Sequence, residues 1–260
     1  MMRRYASRAI ALVAAGLFLF AGATRAAEVK VMISGGFFAA YRILAPEFQS
    51  ATGHTVATAS GPSMGNTPEA IPNRLKRGEP ADVLIMVGSA LDDLVKEGKV
   101  VSGSRVDLAR SKIGMAVRAG TPKPDIGTVE AFKRTVLAAK SIAYSDSASG
   151  VYLSTVLFPK LGIAEQIAGR SRMIPGEPVG AVVARGDAEI GFQQISELRA
   201  VPGVEVVGPL PAEIQKVTVF SAGISSTSTQ PEAARALLRF LSSSAAAPVI
   251  ARTGIEPVNP

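Results

Sequence analysis

Three short stretches carry residue types able to hold a ligand. They are Ser34-Gly35-Gly36-Phe37, the longer run from Ser60 to Glu69 that contains Ser63-Met64-Gly65-Asn66, and Ser145-Asp146-Ser147-Ala148-Ser149-Gly150. Each follows an apolar segment with strand character and precedes a helical pattern. A turn rich in Ser and Gly at such a junction directs hydroxyls and backbone N–H groups toward one point. That point is also the positive end of the helix dipole, which suits an anion. Any one turn alone is also an ordinary strand-to-helix loop, where Ser and Gly are common. Three of them at the carboxyl ends of strands point instead to one shared small anion.

The elements that must position these turns alternate strand and helix, the signature of a mainly parallel sheet with helices on its faces. Strand 29–33 leads to helix 37–52, stopped by Gly53, and strand 55–59 leads to helix 68–77, stopped by Gly78. A buried strand at 81–86 and a helix at 89–97 follow. A strand at 113–118 and the Pro/Gly stretch 120–124 mark the crossing into a second unit. There the pattern predicts helix 129–137, strand 141–144, helix 151–161, strand 172–174, helix 179–185, strand 189–194 and a short helix 195–199. Strand 217–221 carries the chain back, and helices 231–242 and 245–253 close it. The expectation is an α/β protein of two lobes with an interdomain cleft and two hinge crossings, 27–110 with 222–260 forming one lobe and 111–221 the other. Ligands in such folds sit at the carboxyl ends of the strands. The single histidine, His54, reads as a surface turn residue.

Residues 1–26 read as a secretory signal: Arg3, Arg4 and Arg8, an apolar run from Ala9 to Ala23, and a small-residue cleavage site at Thr24-Arg25-Ala26. That segment holds four of the 28 basic residues and none of the 21 acidic ones, so the remainder carries +3 rather than +7. No basic tract is interleaved with aromatics, so nucleic acid is not an expected partner. Cysteine is absent, which removes disulfides, thiol chemistry and a lipidated anchor. The expected product is a soluble periplasmic monomer without cofactor or metal.

The segments Arg77-Gly78-Glu79-Pro80-Ala81-Asp82-Val83-Leu84-Ile85, Arg185-Gly186-Asp187-Ala188-Glu189-Ile190-Gly191-Phe192, and Pro231-Glu232-Ala233-Ala234 with Leu238-Arg239-Phe240-Leu241 and Gly254-Ile255-Glu256-Pro257 resemble the molybdate-binding family of periplasmic solute-binding proteins. The resemblance implies a type II periplasmic-binding-protein fold. It matches the family's second ligand serine to Ser63, its backbone-donor region to Ser147–Gly150, and its fourth region to Pro178-Val179-Gly180. The first turn departs, reading Ser34-Gly35-Gly36-Phe37, and Gln193-Gln194 stand where the family has a tyrosine. Amides at Gln193, Gln194 and Asn66 both donate and accept, which suits a carboxylate. Gly35 and Gly36 make room for a ligand larger than a tetrahedral oxyanion. Arg74 and Arg110 are candidates for carboxylate clamps, with a surface or hinge role as the plain alternative.

Gly35-Gly36-Phe37, Ser63-Met64-Gly65 and Ala70-Ile71-Pro72 further resemble a divergent branch, the bacterial aconitate isomerases. That resemblance implies interconversion of cis- and trans-aconitate by allylic proton transfer, which needs donors, a clamp and a positioned acid/base. Asp146, Tyr152 and Tyr41 are the nominees for the proton. Helix capping by Asp146 and core packing of the tyrosines are the competing roles. The alternative function is a non-catalytic receptor that delivers a molybdate- or tungstate-like oxyanion, or a di- or tricarboxylate, to an ABC-importer permease.

Overall fold

The computed structural model describes residues 26–259, so the signal segment apart from Ala26 lies outside the described residues. Strand β1 (Glu28–Ile33) runs into helix α1 (Gly35–Thr52), which ends at Gly53 with φ +73°, a left-handed position suited to glycine. Strand β2 (Thr55–Ser60) follows, then the loop 61–70 and a single short helix, α2 (Ile71–Lys76). The loop is longer than its sequence suggests, because helix α2 starts at Ile71 rather than Pro68. Strand β3 (Val83–Val87) is buried at every position, as a central strand covered on both faces should be. Helix α3 (Gly88–Lys96) precedes β4 (Val106–Arg118), a 13-residue strand that begins well before the expected 113.

The second half contains α4 (Val129–Ala138), β5 (Ile142–Ser145), α5 (Ala148–Tyr152), a π-helical turn at Leu153–Leu157 and α6 (Phe158–Lys160). The π turn coincides with Ser154 and Thr155, whose hydroxyls bond back to Gly150 O and Val151 O at 2.8 and 2.6 Å. Next come α7 (Ala164–Ile167), β6 (Ser171–Ile174), α8 (Val179–Arg185), β7 (Ile190–Gln194), α9 (Ile195–Arg199), β8 (Val204–Pro209) and β9 (Val217–Ile224). Helices α10 (Pro231–Leu241) and α11 (Ala247–Arg252) and the short strand β10 (Glu256–Pro257) close the chain. Helix α7 and strand β8 have no counterpart in the sequence reading; α7 is a single turn, and β8 is half-buried along most of its length, so neither produces a clear apolar period.

The sheet order is β2-β1-β3-β9-β4-β7-β5-β6, with β8 and β10 added along β4. Strand β4 joins two lobes. Val106 to Lys112 pairs with β9, and Ile113 to Val117 pairs with β7. The cores divide likewise: Phe37, Leu44, Phe48, Ile85, Leu237 and Leu241 pack in one, and Met115, Phe132, Phe158 and Phe192 in the other. In the first lobe the buried Asp82 carboxylate accepts from Lys30 N, Ser228 Oγ, Thr229 N and Gln230 N at 2.7–3.1 Å. It ties β1 and β3 to the chain entering α10. His54 corrects the surface expectation. It is buried, stacked on Phe48, and its Nδ1 accepts from Ala27 N at 3.1 Å.

Candidate active site

A cleft of about 290 Å³ opens where the two halves meet. That volume is at the small end of ligand sites, suited to a small molecule. One wall is Ser34, Gly35, Gly36 and Phe38 at the start of α1, with Ser60, Gly61 and Pro62 after β2. The other is built by Ser145 to Ser149 after β5, Gly176 to Pro178 before α8, and Gln193, Gln194 and Glu197 after β7. The walls meet across the junction. Ser196 of α9 donates its Oγ–H to Gly36 O at 2.7 Å, and a Cβ on Gly65 (φ +106°) would lie 3.3 Å from Asp146 O.

Three buried polar atoms in this lining have no hydrogen-bond partner: Ser34 Oγ, Asp146 Oδ2 and Gln194 Oε1. Groups of this kind cost free energy when left unpaired, and a bound polar ligand supplies their partners. Gln194 is otherwise fixed by donation from Nε2 to Thr218 Oγ1 at 3.1 Å. Gln193 is held at both ends of its amide. Its Oε1 accepts from Val179 N at 2.9 Å, and its Nε2 donates to Glu197 Oε1 at 3.0 Å.

Glu197 is the residue the sequence reading missed. It lies third in α9 after the flanking Gln194, whose backbone N–H also bonds its carboxyl, the spacing of a capping box. That spacing was the available signal, and it reads as helix capping. In the fold Glu197 is half-buried, with its carboxyl packed against Gly35 at the cleft wall. Enclosure raises its pKa to about 7 against the lowering effect of its bonds to Gln193 and Gln194, and the nearby Asp146 adds to the rise. Asp146 is itself raised above the ordinary carboxylate range, chiefly by desolvation. The third acid of the lining, Glu177, is exposed and ion-paired with Arg185. Among the described residues no lysine or arginine lines the cleft.

At Gly35 and Gly36 a side chain of the protein itself fills the space a Cβ would take. A Cβ on Gly35 would collide with Glu197 Oε1, and one on Gly36 with the Phe220 ring. These glycines admit a carboxyl and an aromatic ring of the protein itself, a different reason from room for ligand.

The remaining expected site residues fall elsewhere. Phe37 is wholly buried in the first core, and its neighbour Phe38 reaches the cleft. Ser63 is buried, and its Oγ accepts from Val87 N at 2.9 Å, pinning the loop to β3. Met64 and Tyr152 line a separate groove beside Arg105 and Lys216, and the Tyr152 hydroxyl donates to Ile214 O at 3.0 Å. Asn66 is exposed, while Asn73 braces that loop by donating to Thr67 O at 2.9 Å. Arg74 pairs with Glu79 and donates to Ser60 O at 3.0 Å, so it supports the cleft edge from behind. Arg110 is exposed on β4, outside the lining. Tyr41 is buried, its hydroxyl 2.9 Å from Thr58 Oγ1. Gly150 packs against Ser145, whose Oγ bonds Ser149 Oγ at 2.9 Å, and the Val179 side chain belongs to a small core beneath α8. Cleft-lining positions are thus held by Ser34, Gly35, Gly36, Asp146, Ser147, Ser149, Gln193 and Gln194. Among the described residues no group of His, Cys, Asp and Glu could hold a metal ion, and no helix is long and apolar enough to cross a membrane.

The family model described as bacterial extracellular solute-binding protein matches residues 29–256. The chain belongs to this family. Like other bacterial extracellular solute-binding proteins, it has the two-lobed type II architecture. It superposes on the periplasmic molybdate-binding protein of Azotobacter vinelandii with a TM-score of 0.70 at 21% identity, covering 87% of this chain and 98% of that one. In sequence this solute-binding protein is 31% identical over 191 residues to the molybdate-binding protein ModA of Azotobacter vinelandii, 72% of each chain. It is 56% identical over 230 residues to an aconitate isomerase of a Pseudomonas species, 88% of each chain.

Proposed function

We propose that this protein is an aconitate isomerase that interconverts cis- and trans-aconitate in its interlobe cleft. The observation that carries this reading is the 56% identity across 88% of both chains. The cleft adds physical support, since it sets two carboxyls with raised pKa among hydroxyls and amides. Aconitate is a propene bearing one carboxylate on each carbon. Its isomerisation can proceed by loss of a proton from the methylene carbon and gain of one at the former vinyl carbon, with no redox change and no leaving group. The rotamer of the methylene arm when the proton leaves sets the geometry of the new double bond. The protein must hold the three carboxylates, stabilise the extra charge of the delocalised intermediate and move one proton.

In this reading Ser34, Ser147, Ser149 and Gln194 meet the substrate carboxylates. Asp146, its pKa raised by desolvation, lies beside them in the lining. Without an arginine or lysine in the lining, charge is offset by hydrogen bonds, which discriminate by shape.

We assign residues 27–110 and 222–260 to the first lobe and 111–221 to the second. The partner change of β4 between Lys112 and Ile113 supports that division. Export through residues 1–26 and a periplasmic, soluble, monomeric state fit the sequence pattern. Delivery to an importer permease is the competing role.

The test is turnover: purified mature protein at catalytic concentration with trans-aconitate, followed by proton NMR. Appearance of the cis isomer supports the isomerase. Thermal stabilisation by aconitate or molybdate without turnover would make the protein a receptor.

A further inference from the structure

We propose that Glu197 is the catalytic acid/base of this cleft and that Gln193 is the residue that positions it. The inference rests on the isomerase reading above. Its basis is placement. Glu197 is on the cleft wall, and Gly35 opposite has no side chain because the carboxyl occupies that volume. The orientation of the carboxyl is fixed through a chain running from Val179 N to Gln193 Oε1 and from Gln193 Nε2 to Glu197 Oε1, at 2.9 and 3.0 Å. Gln193 is buried, so its amide has little freedom to choose other partners. A glutamate that only caps a short surface helix needs neither the second-residue brace nor a glycine facing it.

The two tyrosine nominees for the proton are engaged elsewhere. Tyr41 bonds Thr58 within the first lobe, and Tyr152 bonds Ile214 in a different groove. Asp146 remains in the cleft with one oxygen unpartnered, and Asp146 and Glu177 are the titratable groups that share the cleft lining with Glu197.

The step balances. The ionised Glu197 carboxylate takes a proton from the methylene carbon of trans-aconitate, and the C–H electron pair enters the allylic system. Neutral Glu197 then returns a proton to the former vinyl carbon. The double bond re-forms between the central carbon and the former methylene carbon. One group with a pKa near the working pH can serve both half-steps.

The test compares kinetics and binding. Glu197→Gln keeps shape and hydrogen-bonding capacity, so trans-aconitate affinity by calorimetry should stay within about fivefold, whereas kcat should fall by about 100-fold or more. Glu197→Asp should recover part of that loss. Gln193→Leu removes the donor that lowers the Glu197 pKa, so the acidic limb of kcat/KM should move to higher pH. Gly35→Ala leaves the carboxyl titratable but displaced, and should lower kcat more than affinity.

If Glu197→Gln keeps kcat within threefold of wild type, Glu197 is only a cap. The assignment then fails while the isomerase stands. A fixed acidic limb in folded Gln193→Leu overturns the positioning role. Absence of turnover by the wild-type protein overturns both readings together.

Discussion

Two enclosed carboxyl sites teach opposite lessons. Asp82, deep in the first lobe, accepts four hydrogen bonds from residues far apart in sequence. Both of its oxygens have donors, so it acts as a fastener. Glu197 and Asp146, on the cleft wall, are under-matched. Glu197 is pushed up to about 7, and Asp146 keeps one buried oxygen without a partner. The same functional group is structural where four donors converge on it and chemically poised where desolvation outweighs its donors. The cleft wall carries the cost of that poise in stability.

The sharpest way to break the contrast is Asp82→Ala. It strands four donors from two segments and should destabilise the fold by about 3–5 kcal/mol. Thermal unfolding checks it, and the protein that remains folded should bind trans-aconitate as wild type does. An effect below about 1 kcal/mol would show that Asp82 is not a fastener.

Next in size is a pH effect. The folded-state pKa of Glu197 lies above its unfolded value, so the folded state holds a proton that the unfolded chain has released. Unfolding free energy of the ligand-free protein should therefore fall as pH rises from about 4.5 to about 7, by about 2–3 kcal/mol from this group. Asp146 acts in the same direction. Glu197→Gln should flatten that slope in denaturant titrations at several pH values, and an unchanged slope would deny the poised state.

The smallest effects separate two serines. Ser63→Ala removes the acceptor for Val87 N and should cost about 1 kcal/mol of stability, with little change in affinity. Ser34→Ala removes a hydroxyl with no protein partner, so stability should hold while affinity for trans-aconitate drops about fivefold. The reverse pattern would exchange their roles.

How far the site was legible follows the same division. Ser34, Gly35, Gly36, Asp146, Ser147 and Ser149 stand at strand ends, where local pattern alone points into the sheet's ligand edge, and they line the cleft. Ser63, Tyr41, Tyr152 and Arg74 have suitable chemistry, but their partners come from residues 5 to 62 positions away, which no local pattern reveals. Glu197 failed in the other direction. Its capping spacing has a complete local explanation, and only the approach of Gly35, 162 positions earlier in the numbering, encloses its carboxyl.

The sequence by itself determined the strand and helix alternation, the glycine stops and the two-lobed fold, because apolar periodicity and turn residues act over a few positions. Tertiary structure decided which polar groups are satisfied and which are left facing the cleft. Desolvation and hydrogen-bond matching depend on what packs against a residue in space, and in this chain that distinguishes the Asp82 fastener from the Glu197 acid.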